Sequence, residues 1–272
     1  MTIIQKYIAD ILNTTQESIS KTEQLIAKLK QMKQGILHDL LTRGIDDNGE
    51  LRDPERHPEQ FKDSELGRIP VGWEVVPLSK LTTRIGDGIH TTPKYSEYTG
   101  IHFINGNNLS DGRIRVSKST PCVSQSEYQR HIIDLTDRSI LYSINGTIGN
   151  IAYYNSEPVI LGKSVAYITC TDELSVPFIY YYLQTSTVRR FYSLEMTGST
   201  ISNLSLASIR RTPVKVPEKT DERERIVARL KQVSTTVKVE ADHLAKLKLL
   251  KKGLMEDLLT GRVRVNVDEE PG

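Results

Sequence analysis

A stretch near one end of this 272-residue chain returns near the other, and the two copies bracket an unrelated middle. Leu25-Ile26-Ala27-Lys28-Leu29-Lys30 recurs as His243-Leu244-Ala245-Lys246-Leu247-Lys248, and Lys33-Gln34-Gly35-Ile36-Leu37 recurs as Lys251-Lys252-Gly253-Leu254-Met255. The second match runs on through Asp39-Leu40-Leu41-Thr42 and Asp257-Leu258-Leu259-Thr260, always at an offset of 218 residues. Two copies are too few for a stacked array of repeats. Two long copies around one insert predict a pair of helices that close on each other.

Heptads carry the same reading. Ile8, Leu12, Thr15, Ile19, Thr22, Ile26 and Leu29 alternate spacings of four and three, and Ile226, Leu230, Val233, Val237, Glu240, Leu244 and Leu247 do so in the same phase. That is the seam of period 3.5 along which helices wind together. No proline interrupts either run, and Thr42-Arg43-Gly44 and Thr260-Gly261 supply helix-ending chemistry. A helix of about forty residues is roughly 60 Å long. Since Arg43 ends the first helix at the insert and Glu222 starts the second there, the pair must be antiparallel. Ile36, Leu37, Leu40 and Leu41, with their counterparts Leu254, Met255, Leu258 and Leu259, then widen the seam into two apolar stripes. A helix with a broad apolar face needs more than one neighbour, so these eight residues are expected to dock helices of another chain. Gly35 and Gly253 lie inside the helices, where glycine costs up to about 1 kcal/mol against alanine. Close approach of a helix is the expected reason.

Charge narrows the partners less than its distribution does. Lysine plus arginine total 36 against 34 acids, but residues 68–217 balance at +4 and the helical runs 3–43 and 218–265 at +2 and +4. Residues 44–67 balance at −5 and the tail from Asn266 at −3. Mildly basic working parts are thus masked by acidic connecting segments, which permits DNA binding without requiring it. Cys122 and Cys170 are too few and too far apart for a disulfide framework or a zinc site. No signal peptide opens the sequence and no apolar run is long enough to span a bilayer, so the expected location is the cytoplasm.

The middle reads as α+β with a β-rich heart. Residues 44–70, rich in Asp, Glu, Pro and Gly, are expected to be an irregular acidic connector. Trp73 opens the globular part as a core anchor. Residues 139–144 and 147–152 flank Asn145-Gly146, the pattern of a hairpin with a type I′ turn. Residues 160–169 read as one strand, and Ser175-Val176-Pro177 opens an amphipathic helix through Arg190. The expected organisation is a helix over 1–43, connector over 44–70, globular domain over 71–217, helix over 218–262 and tail over 263–272.

Catalytic signatures are missing. Without any Pro-Pro dipeptide there is no Asn/Asp-Pro-Pro-aromatic loop of the kind that holds adenine for amino methylation. Gly162-Lys163-Ser164 imitates the end of a phosphate-binding loop, but Glu157 stands where that loop needs its first glycine. No Glu-x-Lys element of acidic nucleases occurs, the histidines form no ligand pair on a helix face, and His131 and His243 read as surface residues. No nucleophile–base constellation stands out. The chain is expected to bind rather than catalyse, holding no metal and no cofactor of its own.

Several segments then fall in a telling order. Gly86-Asp87-Gly88-Ile89-His90-Thr91-Thr92-Pro93-Lys94-Tyr95 precedes Gly100-Ile101-His102-Phe103-Ile104-Asn105-Gly106-Asn107-Asn108-Leu109, and residues 137–149 and 197–205 follow. With both helix ends, this order resembles the specificity (S) subunit of type I restriction–modification systems along nearly the whole chain. The resemblance implies a β-rich target recognition domain that reads double-stranded DNA and directs adenine methylation and restriction. It implies two methyltransferase (M) subunits docked on the helices, carrying S-adenosylmethionine, and a motor–nuclease (R) subunit in the full complex. That family's full-length subunit has two recognition domains, each followed by a helix. Here one domain stands between two helices, which resembles the second half of such a subunit preceded by its central helix. That arrangement fits a truncation, a natural half-subunit or one product of a split gene, and a lone half would be able to pair with itself or another half. Asp221-Glu222-Arg223-Glu224 also stands where the family often carries a Glu-Gln pair, although the helical register continues through it.

Base edges and phosphates are met by polar and basic side chains. The candidates are His90, Thr91, Thr92, Lys94, Tyr95, Asn105, Asn107, Asn108, Arg113, Arg115, Lys118, Asn145, Thr147, Lys163, Thr197, Ser199, Thr200, Ser202 and Asn203. Each has a purely structural alternative: Asn145 with Gly146 as a turn, Asn203 as a helix cap, Arg113 with Arg115 as a solvated strand face. Two other classes compete, a coiled-coil scaffold that never touches DNA and an enzyme with an unrecognised site.

Overall fold

The computed structural model describes residues 3–196 and 203–264. The order is α1 (Ile3–Leu40), β1 (Phe61–Lys62), β2 (Ile69–Pro70), β3 (Trp73–Pro77), β4 (Thr82–Asp87), β5 (Tyr95–Ser96) and β6 (His102–Ile104). Next come β7 (Leu109–Ser110), β8 (Arg113–Ile114), β9 (Cys122–Val123), α2 (Gln125–His131), β10 (Ser139–Ser143), β11 (Ile151–Tyr153), β12 (Val159–Leu161) and β13 (Val165–Cys170). The chain closes with α3 (Ser175–Tyr182), α4 (Ser186–Glu195), α5 (Leu206–Arg211), β14 (Pro213–Pro217) and α6 (Thr220–Leu259). It divides into two compact units, residues 1–36 with 229–272, and residues 37–228.

The first unit is a helix pair. Each predicted seam position from Ile8 to Leu29 and from Leu230 to Leu247 is buried or half-buried, while Lys21, Gln24, Lys28, Lys238, Asp242 and Lys246 are exposed. Lys248 pairs with Glu23 at 2.7 Å, and Lys251 Nζ donates to Gln16 Oε1 at 2.6 Å. The α6 number rises as the α1 number falls, so the helices run antiparallel. Gly35 and Gly253 are exposed, with nothing within 4 Å of where a Cβ would stand. Among the described residues, then, nothing of this chain makes the close approach expected at either glycine.

In the second unit, beside the two-stranded pairs β1-β2, β14-β3 and β7-β8, one four-stranded antiparallel sheet has the order β11-β10-β13-β4 and a second four-stranded sheet β12-β6-β9-β5, with β12 and β6 parallel. Strand alternation explains how the second sheet serves two cores. Ile104, Val159 and Leu161 meet Leu141, Ala152 and Val165 of the first sheet, whereas Phe103 and Ile160 join Ile101 and Val123 in a second cluster against Tyr128. Each buried Leu or Ile contributes roughly 1.5–3 kcal/mol.

Four expectations need correcting. The 139–152 hairpin forms, but Tyr142 pairs with Ile151 and Ile140 with Tyr153, leaving a loop wider than two residues. Gly146 and Gly149 have positive φ but Asn145 does not, so the turn is not type I′. Ser143 Oγ stabilises the wider loop by donating to Thr147 O and accepting from Asn150 N–H. Residues 160–169 form two strands in different sheets, broken at Gly162-Lys163-Ser164. The helix expected from 175 to 190 breaks where Thr185 caps α4, its hydroxyl accepting from Val188 N–H. The acidic connector is part of the fold: Ile45, Phe61 and Ile69 are buried.

Glu222, in the first turn of α6, gathers the unit's edges. Its buried carboxylate accepts from Ile45 N–H at 3.1 Å, from Trp73 Nε1–H at 3.1 Å, and from both Nη groups of Arg52 at 2.5 and 3.1 Å. Gly44 has φ +64°, and a Cβ there would collide with Glu222, Arg52 and Trp73.

Candidate nucleic-acid interface

Strand directions bring three turns to one edge of the second unit. Because β6 and β12 are parallel neighbours, the turns leaving them, 105–108 and 162–164, emerge together. Because β10 runs antiparallel to β13, pairing Ser143 with Val165, the loop leaving β10 joins them.

Gly106 is where they meet. Its N–H donates to Ser164 Oγ at 3.0 Å, and its carbonyl accepts from Asn150 Nδ2 at 3.0 Å. A Cβ on Gly106 would lie 2.7 Å from Ser143 Cβ, so only glycine admits this approach. Ser164 Oγ in turn donates to Asn105 Oδ1 at 3.0 Å, and Ile144 N–H donates to Ser164 O at 2.9 Å. The segment entering residues 90–94 is tied in by Gly88 N–H to Val165 O at 3.0 Å and Ile89 N–H to Leu161 O at 2.8 Å. Asn203 bridges Asn145, and Leu204 N–H donates to Ile144 O.

This arrangement sorts the candidates. Asn108 is spent on structure: Oδ1 accepts from Asn105 N–H and Nδ2 donates to Arg115 O, both at 2.9 Å. The carbonyl of the Asn105 side chain is occupied by Ser164, and the His90 ring pairs with Asp87 at 2.8 Å. Tyr95 is 55% exposed, its ring centroid 6.2 Å from that of Phe103. Lys94 is exposed while its N–H donates to buried Glu127. Thr91, Thr92, Asn107, Arg113, Arg115, Lys118, Thr147, Lys163 and Asn203 are exposed. Thr197, Ser199, Thr200 and Ser202 lie outside the described residues.

The residues that sequence reasoning missed are the braces: Gly106, Ser143, Ser164 and Asn150. Their only signal was small or amide residues immediately after strands. Gly162-Lys163-Ser164, which fails as a phosphate-binding loop, is a tight turn closed by Val165 N–H to Gly162 O at 2.9 Å. Among the described residues no three His, Cys, Asp or Glu side chains are placed to hold a metal ion. No described helix is long and apolar enough to cross a membrane.

The residues expected to dock partner helices divide sharply. Leu37, Leu40, Leu41 and Leu258 are buried, Ile36 and Leu254 are half-buried, and Met255 and Leu259 are 41% and 63% exposed. Four of the eight are therefore already packed within this chain, because the broad apolar face of each helix end is partly covered from inside it.

A family model, the type I restriction modification DNA specificity domain, matches residues 70–249. The chain belongs to this family. The MjaVIII specificity subunit of a type I restriction enzyme from Methanocaldococcus jannaschii is 25% identical over 270 residues, covering 96% of the chain and 60% of that relative. Among solved structures, a type I restriction–modification S subunit from M. genitalium superposes with TM-score 0.62 at 14% identity, covering 97% of this chain and 61% of the other. An HsdS subunit from Thermoanaerobacter tengcongensis superposes with TM-score 0.52 at 17% identity, covering 96% and 58%. The likeness to the solved structures is one of fold, and it extends through both long helices of this family member. The chain spans about three fifths of the length of these relatives.

Proposed function

We propose that this chain is a non-catalytic DNA-recognition part of the specificity subunit of a type I restriction–modification complex. The observation that carries the reading is the edge around Gly106, where turns from both sheets present exposed polar and basic side chains within a unit belonging to the DNA specificity family. Asn, Thr, Lys and Arg are the side chains that meet base edges and phosphates. In this reading S-adenosylmethionine and the methyl-transfer chemistry reside on M subunits docked along the helices, and an R subunit adds cleavage.

The repeat supports pairing with a second half. In an antiparallel pair, two equal copies are related by a two-fold axis across the rod, and the Glu23–Lys248 and Gln16–Lys251 contacts put Ile26 opposite Leu244 to within about a turn. Yet equivalent positions differ in burial: Leu37 and Leu41 are each 1% exposed, Met255 and Leu259 41% and 63%. The second copy keeps open what the first has filled, and another half-subunit would fill it. Two such halves related by a two-fold axis would read a two-part palindromic site.

The direct test is binding to random-sequence duplex DNA over a range of salt. Each phosphate contact contributes roughly −0.9 to the slope of log affinity against log salt. A slope of several units is expected; a flat response would leave only a scaffold that does not touch DNA.

A further inference from the structure

We infer that Asn107 and Lys163 are the base-reading pair of this surface and that Ser164 is the positioning residue for both, an inference that rests on the DNA-recognition reading above. Reading a base edge requires a polar side chain whose own backbone is held still, because the donor–acceptor match is lost within a fraction of an ångström. Asn107 follows Gly106, which is fixed on Ser164 Oγ and Asn150 Nδ2 and wedged against Ser143. Lys163 lies between Gly162, whose N–H donates to Ile104 O at 2.8 Å, and Ser164, whose hydroxyl holds both Gly106 and Asn105. The residues beside each tip thus bond to those beside the other, and both tips are exposed.

Neighbouring amides are excluded by use: Asn108 has both side-chain groups committed, and the Asn105 carbonyl is taken by Ser164. Among the described residues, the side chains of Asn107 and Lys163 make no hydrogen bond or ion pair. An asparagine amide matches the N6 donor and N7 acceptor of adenine, and a lysine ammonium matches O6 and N7 of guanine. The half-site read by this pair therefore contains purines in the major groove. Arg113, Arg115 and Lys118 lie on the two-stranded β7–β8 ribbon and the segment after it, and long flexible cations there suit phosphates, which tolerate slack.

Selection of the full-length chain against a random-sequence duplex DNA pool tests this, with wild type, Asn107→Ala, Lys163→Arg, Ser164→Ala, Ser164→Thr and Lys118→Gln compared. Asn107→Ala and the charge-conserving Lys163→Arg are expected to lower enrichment of the wild-type motif by about tenfold or to change its bases, while affinity for random DNA moves less than about threefold. Ser164→Ala should lose enrichment similarly and Ser164→Thr, which keeps the hydroxyl, should restore it; Lys118→Gln should weaken all sequences alike. A motif unchanged in Asn107→Ala and Lys163→Arg overturns the assignment while leaving DNA recognition standing. If wild type selects no motif, both fall together.

Discussion

Glu222 illustrates what one buried carboxylate does when three residues distant from it in sequence donate to it. It is 3% exposed, and removing it leaves the guanidinium of Arg52 and the indole N–H of Trp73 without their acceptor. Breaking a buried pair in this way costs about 3–5 kcal/mol. Glu222→Ala should lower the urea-unfolding free energy by that amount; a loss under about 1 kcal/mol would show that the node is solvated. Lys215 supplies a pH-dependent contribution of opposite character. Burial penalises its ammonium and holds the pKa below the ordinary 10.5. The unfolded chain then binds that proton more tightly, so stability should rise as pH climbs through the window below 10.5. Lys215→Met should raise the unfolding midpoint at pH 7 and remove that rise, as denaturation at pH 7 and pH 10 would reveal. Cys170, fully buried with its thiol pushed up to about 12 by burial, should resist thiol reagents in the native protein at pH 8. Only half-buried Cys122 should react until the chain is unfolded.

Among the elements, the helices were legible because a period of 3.5 is set by packing alone, and seam positions such as Ile19 and Ile26 are buried as expected. The strands were less legible where side-chain bonds overrode local preference. Asn145-Gly146 favours a two-residue turn, but Ser143 Oγ accepts Asn150 N–H and widens the loop. Thr185 likewise cuts a continuous helical pattern by capping α4. The helix ends offer a test that separates folding from assembly. Met255→Asp lies on exposed surface and should leave helical circular dichroism intact while abolishing co-elution with M subunits or a second chain. Leu258→Asp, at a position 7% exposed, should lower stability by about 2–5 kcal/mol instead. Equal assembly by Met255→Asp and wild type would remove this stripe from the docking surface.

For the whole molecule, the order of segments pointed to the family and the strand and helix patterns to the α+β class, and the comparisons bear both out. What the order could not give was which polar residues are braces and which are free. Asn105, Asn107 and Asn108 look alike in sequence, and only the folded turn commits the Asn108 side chain to the Asn105 and Arg115 backbone while leaving Asn107 exposed. The acidic connector misled for a related reason, since its composition hides Ile45 and Ile69 inside the fold.

The central claim is a division of labour, in which this chain chooses the site and its partner modifies it. Adenine methylation mapped on random-sequence DNA, with purified chain, a type I M subunit and S-adenosylmethionine, addresses that claim directly. Methylation at one two-part motif, palindromic if two copies act together and absent when this chain is omitted, is the expected result. Methylation at no defined motif, despite a complex that demonstrably forms, would contradict it.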